Sequence, residues 1–314
     1  MEATLASIVA AASPLVYAAI GETITEKAGV VNLSLEGTLR LSAMTGFAIS
    51  YVTGSVLLGF LAAAGVGMLI ASIVAFASIE LRLNQIAVGF VLTLLAIELS
   101  SFLGNPYVGQ QGPGVPSMPI PLLSDIPFLG KVLFDHNLSV YGSYLVIVGA
   151  YLFIFKTRRG LDMQGVGERP EAAFARGIPV NRLRYLYTMV GGALAGIGGA
   201  AFSLDVQLGW REGLTAKNYG WIALAIVIFG GWNPIRAAFG AYLFGVLQTV
   251  ALKLQPVFPG LSQILPLLPF ALMIFALVLV YLRLFRDLAD RHPLLRRLLS
   301  ADPPSGLGTA FHRE

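Results

Sequence analysis

The side chains of this 314-residue sequence that are equipped for chemistry are few and scattered. Glu22, Glu26, Lys27, Asn32, Ser34 and Glu36 fall within GETITEKAGVVNLSLEG, Gly21 to Gly37, among glycines and apolar residues. Asn84 and Gln85 precede an apolar run that contains Thr93 and Glu98, and a second polar stretch, GERPEAAFARGIPV, covers Gly167 to Val180. None of these sets has the spacing of a hydrolytic or metal centre. With no cysteine there is no disulfide, thiolate metal site or cysteine nucleophile. His136, His292 and His312 lie far apart and form no HExxH, and no GxxxxGK[ST] loop is present to cradle ATP or GTP. What remains is the chemistry of recognition: hydrogen-bonding groups for a small polar solute or a partner, no catalytic residue, and no cofactor bound by this chain.

The elements that must carry these groups follow from composition. Charged residues make up 12% of the chain and apolar ones 56%, with a mean hydropathy of +0.76. So few charges cannot build a water-facing surface, whereas apolar runs of about 20 residues cross a hydrocarbon layer ~30 Å thick. The sequence therefore predicts an all-α, polytopic membrane protein in a lipid bilayer. Nine runs are candidate helices: Leu5 to Ile20, Leu39 to Leu58, Phe60 to Ile79, Ile86 to Leu103, Val140 to Phe155, Tyr185 to Leu204, Tyr219 to Gly231, Ala237 to Leu252 and Ile264 to Leu284. Tyr219 to Gly231 is the shortest and reads as a re-entrant segment or as half of a hairpin with its successor.

Lysines and arginines crowd the loop from Lys156 to Arg184 and follow the last run from Arg283 to Arg297, which places both on the cytoplasmic side. The N-terminus then falls outside and the C-terminus inside. No basic residue precedes the first run, unlike a cleaved signal peptide. The net charge of +4 is accounted for by these loops, so nucleic acid is not an expected partner. Residues 1–299 form one transmembrane domain. The external loop at 105–139, with prolines recurring from Pro106 through Pro127, is either an ordered cap or a slack connector, and residues 300–314 read as a disordered cytoplasmic tail.

The second polar stretch has the marks of a short, sharply bounded helix. Pro170 suits a first helical position, Glu171 complements the positive helix end, Arg176 the negative one, Gly177 can take the left-handed cap, and Pro179 stops continuation. Two turns are unstable alone in water, so the helix must pack on something, with Ala172 and Ala173 as a flat face and Phe174 and Ile178 as anchors. It either rests on its own bundle or transmits a partner's movement. For Gly21 to Gly37, Asn32 or Ser34 can cap the next helix while Glu36 pairs with Arg40; alternatively a broken helix start lines a solute path. Asn84 and Gln85 read as interfacial caps. Glu98, with no basic neighbour at helical spacing, must pair across helices, meet water or be protonated. Gly192 and Gly196 form a GxxxG packing pair, and Trp232 in GGWNP reads as an interfacial anchor.

In order along the chain, GVVNLSLEG, VGERPEAAFARGIPVNRLRY, GGALAGIGGAAFSL and FGGWNPIRAAFGAYLFG resemble the inner-membrane permeases of bacterial ABC importers of the branched-chain amino acid and ribose-type family. The likeness is strongest to the branch for nucleosides or simple sugars that works with basic-membrane-protein-type lipoproteins. It implies that Glu171, Ala172, Ala173 and Gly177, flanked by Gly167, Glu168, Pro170 and Phe174, belong to a coupling helix that docks on a separate ABC ATPase, where ATP is used. It implies that Asn32, Leu33, Glu36 and Gly37 lie near the solute path, with Ser34, Asn84, Gln85, Thr93 and Glu98 as further candidates. Thr93 stands where the family often has an amide and Glu98 where a small residue is commoner. The resemblance also implies a second, different permease subunit, an external solute-binding lipoprotein, and import across the plasma membrane. A nucleoside is the expected cargo, then a simple sugar or branched-chain amino acid. The competing expectation is a self-sufficient secondary transporter.

Overall fold

The computed structural model describes residues 2–258, a few positions between 260 and 278, and residues 302–311. Within them the chain is helical, with no strand beyond two isolated bridges. The helices are α1 (Glu2–Lys27), α2 (Leu35–Thr53), α3 (Val56–Ile79), α4 (Gln85–Gly104), α5 (Leu138–Lys156), α6 (Arg158–Glu168), α7 (Pro170–Ala175), α8 (Val180–Ala201), α9 (Tyr219–Phe229) and α10 (Pro234–Leu254). Six are long and apolar enough to cross a membrane: α1, α3, α4, α5, α8 and α10, with α4 extended by a tight 3-10 turn and α8 by a wider π-helical one. The expected span Ile264 to Leu284 lies outside the described residues, as does the basic cluster from Arg283 to Arg297.

The bundle is organised around α8, whose small residues let three helices approach its backbone. A methyl group on Gly192 would come 2.4 Å from the carbonyl oxygen of Gly67 on α3, and one on Gly196 2.2 Å from that of Ala63. Gly191 and Gly198 meet Gly21 and Pro14 of α1 in the same way, and Gly199 meets Leu39 of α2. The expected packing role of the Gly192 and Gly196 pair is what the structure displays. These pairings run in opposite sequence order, so α8 is antiparallel to α1 and α3.

Two helices begin inside the bundle instead of at its ends. After α1 the backbone turns back: Asn32 N–H donates to Oε1 of Glu22 at 3.0 Å, beside a residue more than a turn before the end of α1. Leu33 lies against Gly89 and accepts from Thr93, eight residues or about 12 Å into α4. α2 starts from that depth. α9 has 11 residues, about 16 Å, and its first turn lies against the first turn of α2, a methyl group on Gly220 meeting the Glu36 backbone at 2.3 Å. The half-span reading of Tyr219 to Gly231 fits this geometry. The segment Gly21 to Gly37, by contrast, is no simple joint: α1 stays helical through Lys27, because Glu22 and Glu26 find hydrogen-bond donors in the interior.

Two further segments make contacts that their composition does not announce. Residues 302–311, read as tail without structure, pack on the α6–α7 end of the bundle, with hydrogen bonds from Gly306 N to Gly167 O (2.8 Å) and from Gly308 N to Gly29 O (3.1 Å). Their proline- and glycine-rich composition carries no helical period, but it leaves backbone donors free to meet carbonyls of other segments. Within 105–139, Met118 N bonds to His136 O (2.8 Å), Ile120 N to Phe134 O (3.0 Å), and Val115 N to Leu204 O (2.9 Å), the pattern of an ordered cap.

Bulk at the α8 glycines separates packing from mere composition. Gly196→Leu must displace the α3 backbone, and overpacking of this kind costs about 1–3 kcal/mol. Gly65, which has open space within 4 Å, is the control. The expected outcome in thermal unfolding of the detergent-solubilised protein is a clear loss of stability for Gly196→Leu and none for Gly65→Ala.

Candidate functional site: an interior helix junction and an exposed two-helix hairpin

The interior junction is assembled around three buried carboxylates and one amide. A helix start has backbone N–H groups without intrahelical partners, and inside a bundle no bulk water replaces them. Glu36, 2% exposed, answers this for α9: Oε1 accepts from Asn218 N at 2.7 Å and Oε2 from Gly220 N at 2.8 Å. Negative charge at a helix N-terminus is favourable in its own right. Beside the charge of Arg40, which acts on it from its own helix, Glu36 thus caps a helix 182 positions further on, a partner that local spacing cannot reveal.

Asn32 Oδ1 accepts from Ser34 N (3.2 Å) and from Ser34 Oγ, closing the turn before α2. Neither side chain caps α2 itself; Ser34 Oγ lies 3.3 Å from Thr38 Oγ1 instead. Thr93 donates its hydroxyl to Leu33 O at 2.9 Å, and Gln85 Oε1 accepts from Val31 N at 2.8 Å, so both hold the re-entrant segment against α4. Glu26 accepts from Trp232 Nε1, which corrects the expectation of an interfacial anchor. Trp232 is buried at the α9–α10 turn with φ of 53°.

The remaining candidates separate from this cluster. Asn84 caps α4, accepting from Ile86 N (2.9 Å) and Ala87 N (3.1 Å). Glu98 lies exposed on the outward side of α4, among exposed Leu94, Leu95 and Leu99, with no hydrogen bond or ion pair among the described residues. Sequence reasoning missed Trp232, Asn218 and Gly220. The usable signal was an asparagine, here at φ of 67°, and a glycine flanking the first residue of a short apolar run.

The hairpin lies at the end of the bundle where α1 ends. Thr157 caps α6 by accepting from Gly160 N (3.0 Å), and α7 follows after Arg169. Pro170 opens α7 and Glu171 sits in its first turn. The helix ends as a Schellman motif: Gly177 N bonds to Phe174 O (2.8 Å), Ile178 N to Ala173 O (3.1 Å), and Gly177 holds φ of 82°. Six residues make it shorter than the expected two turns. Gly167 lies flat on the end of α1, a methyl group there meeting Lys27 O at 2.1 Å. Ala173 is buried, while Glu171, Ala172, Phe174 and Arg176 are exposed. A groove of about 450 Å³ opens between the two helices, with Leu161, Ala173 and Ile178 against a rim of Asp162, Glu168 and Arg176. Its apolar floor and mixed-charge rim have the anatomy of a protein contact.

Among the described residues no group of three or more His, Cys, Asp or Glu could hold a metal ion. The junction is a means of holding helix starts, and the hairpin presents an exposed, sharply bounded helix beside a groove.

Removing the Glu36 cap leaves buried donors unmet, at a cost of about 1–3 kcal/mol. Glu36→Ala is expected to lower the unfolding midpoint of the purified protein more than Glu36→Gln, whose amide oxygen still accepts one bond. Equal losses would show that the cap does not hold α9.

A family model described as the permease component of branched-chain amino acid transport systems matches residues 4–277. A putative glucose ABC transporter permease of Haloferax volcanii is 38% identical over 267 residues, 84% of this chain and 81% of the relative. A nucleoside ABC transporter permease of Lactococcus lactis is 33% identical, covering 84% and 86%. A guanosine ABC transporter permease of Bacillus subtilis is 35% identical, covering 85% and 88%. No solved structure matches the chain at a significant level.

Proposed function

This chain belongs to the permease family of branched-chain amino acid transport systems, a non-catalytic inner-membrane subunit of an ABC transporter for sugars or nucleosides, and we propose that it imports nucleosides by alternating access. α7 is its coupling helix, with Pro170, Glu171, Ala172, Ala173, Phe174 and Gly177 as the docking element and Gly167 and Glu168 as its support. The ATPase is a separate protein, a second permease subunit completes the pore, and an external lipoprotein delivers the solute. The α6–α7 end faces the cytoplasm, in accord with the basic residues between Lys156 and Arg184.

The observation that carries this reading is the hairpin: a stiff, capped helix with most of its side chains exposed beside a charged-rimmed groove. A helix that short has no stability to gain from standing clear of the bundle, so its exposed face is for a partner. The interior junction supplies the other half. The start of α9, bonded to a carboxylate carried in the first turn of α2, forms a point where a shift of the re-entrant segment is passed to α2 and α9 together. Asn32, Ser34, Glu36, Gln85 and Thr93 hold the wall of the path in position, and outward-facing Glu98 on α4 is presented to the second permease, with a hydroxyl-rich solute between the two. Relatives named for a nucleoside and for guanosine favour that cargo; the relative named for glucose makes a hexose the second reading.

Glu171→Lys and Gly177→Pro are expected to lower transport by the complete complex about tenfold or more, with membrane insertion intact, coupling energies of 1–3 kcal/mol being typical. Normal transport by both variants would overturn the coupling assignment. Competition of radiolabelled guanosine uptake by unlabelled glucose decides the cargo. Nucleoside import predicts no competition. Uptake by this chain alone in liposomes under an ion gradient would support the secondary-transporter reading instead.

A further inference from the structure

The segment 302–311 crosses and bonds to several pieces of the α6–α7 end of the bundle. Ser305 donates both its N–H (3.1 Å) and its hydroxyl (2.9 Å) to Oε2 of Glu168 at the end of α6. Gly306 N–H bonds to Gly167 O at 2.8 Å, and Gly308 N–H to Gly29 O at 3.1 Å. Gly29 opens the re-entrant segment that leads to Asn32 and Glu36. Thr309 O accepts from Nη1 of Arg184 on α8 at 2.8 Å. Phe311 closes the set, its ring 5.4 Å from that of Phe174 and buried with Val166, Ala173 and Val180 beneath α7.

Each contact answers a local need. Arg184 is 2% exposed; among the described residues its Nε and Nη2 have no hydrogen-bond partner and the Thr309 carbonyl is the acceptor for its Nη1, with the Glu171 charge acting on it besides. A buried cation is costly unless paired, which fixes the segment here electrostatically as well as by apolar contact. The apolar floor of α7 is small, and Phe311 supplies its one aromatic ring. Gly306 approaches so closely that a methyl group would sit 2.8 Å from Gly167 O and 3.1 Å from Pro170 Cδ.

We infer that residues 302–311 are a positioning strap that makes α7, the start of the re-entrant segment and α8 move as one body, so that force applied to α7 reaches the interior junction. This rests on the reading of α7 as the coupling helix. Without the strap, α7 still docks but rocks on its hinge at Arg169, and the stroke is lost. The strap therefore acts on the efficiency of transmission, not on ATP hydrolysis or on solute recognition.

The test uses the complete transporter in proteoliposomes and reads solute moved per ATP hydrolysed. Deletion of residues 302–314 is expected to lower that ratio about tenfold, within the usual span of coupling energies, while ATP hydrolysis continues. Gly306→Pro, which removes one donor and fills the close approach, is the point variant for the case in which the deletion fails to assemble. It is expected to lower the ratio in the same direction. In this cysteine-free chain, Val180→Cys and Phe311→Cys joined by a short bis-thiosulfonate lock the strap down, and the ratio is expected to stay as in the parent. A native ratio in Gly306→Pro overturns the inference, and so does loss of transport on cross-linking, which would make the segment a lock that must leave. Ala172→Cys, cross-linked to the ATPase in the assembled complex, separates the two levels. Its failure to cross-link overturns the coupling reading and the strap with it; successful cross-linking beside a native ratio overturns the strap alone.

Discussion

The structure depends on the satisfaction of backbone donors at helix starts that lie inside the bundle. A helix beginning at a membrane surface has water for its first N–H groups, but α9 begins beside the first turn of α2. The Glu36 carboxylate meets that demand, and the demand in turn justifies burying the carboxylate: each is costly without the other. The bond pair also fixes position. α2 cannot shift along its axis without pulling its carboxylate from Asn218 and Gly220, so the two broken helices are coupled by the groups that make them possible. Helices broken at depth with their N-termini turned inward are a recurrent solution in transport proteins, where a polar point is needed in an apolar layer.

Such a junction requires a rigid frame, and α8 provides it. Its glycines face α1, α2 and α3, bringing backbones within reach of one another where no hydrophobic effect drives helices together in lipid. Close packing makes the frame resistant to gradual deformation, so displacement at one end is carried along helices as a body. The re-entrant stretch 28–34 and the α6–α7 hairpin lie outside this glycine seam and meet α8 through side chains instead, Arg184 against Gly29 and Val180 against Ala173, with Glu22, Gln85 and Thr93 holding the stretch.

What could be read from the sequence follows the range of the physics involved. Six of the nine expected runs are helices able to cross a membrane, legible because apolar runs need only local counting, whereas Leu39 to Leu58 runs across the break at Gly54 and Ser55; α7 was legible residue by residue because Pro170, Glu171, Gly177 and Pro179 act locally. The glycines of α8 announced close packing but not their partners. The roles of Glu36 and Trp232 were hidden, since each bonds to a group about two hundred positions away, and in both cases a local explanation, a pairing with Arg40 or an interfacial indole, was sufficient and left the distant partner out of view. Glu98 was legible as an anomaly: a carboxylate without a neighbour in sequence is, in the fold, a carboxylate facing outward. The contacts of segment 302–311 were not legible because absence of periodicity describes a chain that cannot fold alone and says nothing of a surface on which it can lie.

On the reading proposed above, this chain takes its energy as displacement at the α7 surface, so that surface must be stiff, and stiffness is hard to obtain from six residues. The chain obtains it by bounding the helix with proline and a left-handed glycine, which removes conformations at both ends, and by fastening what lies beneath it to the end of α1 through Gly167. α1 then leads into the turn at Asn32, whose backbone is held by Glu22 on the same helix. The path from hairpin to junction thus runs through one helix end and one turn, short enough that a rigid-body tilt at the hairpin need not be absorbed by loops before it reaches Glu36.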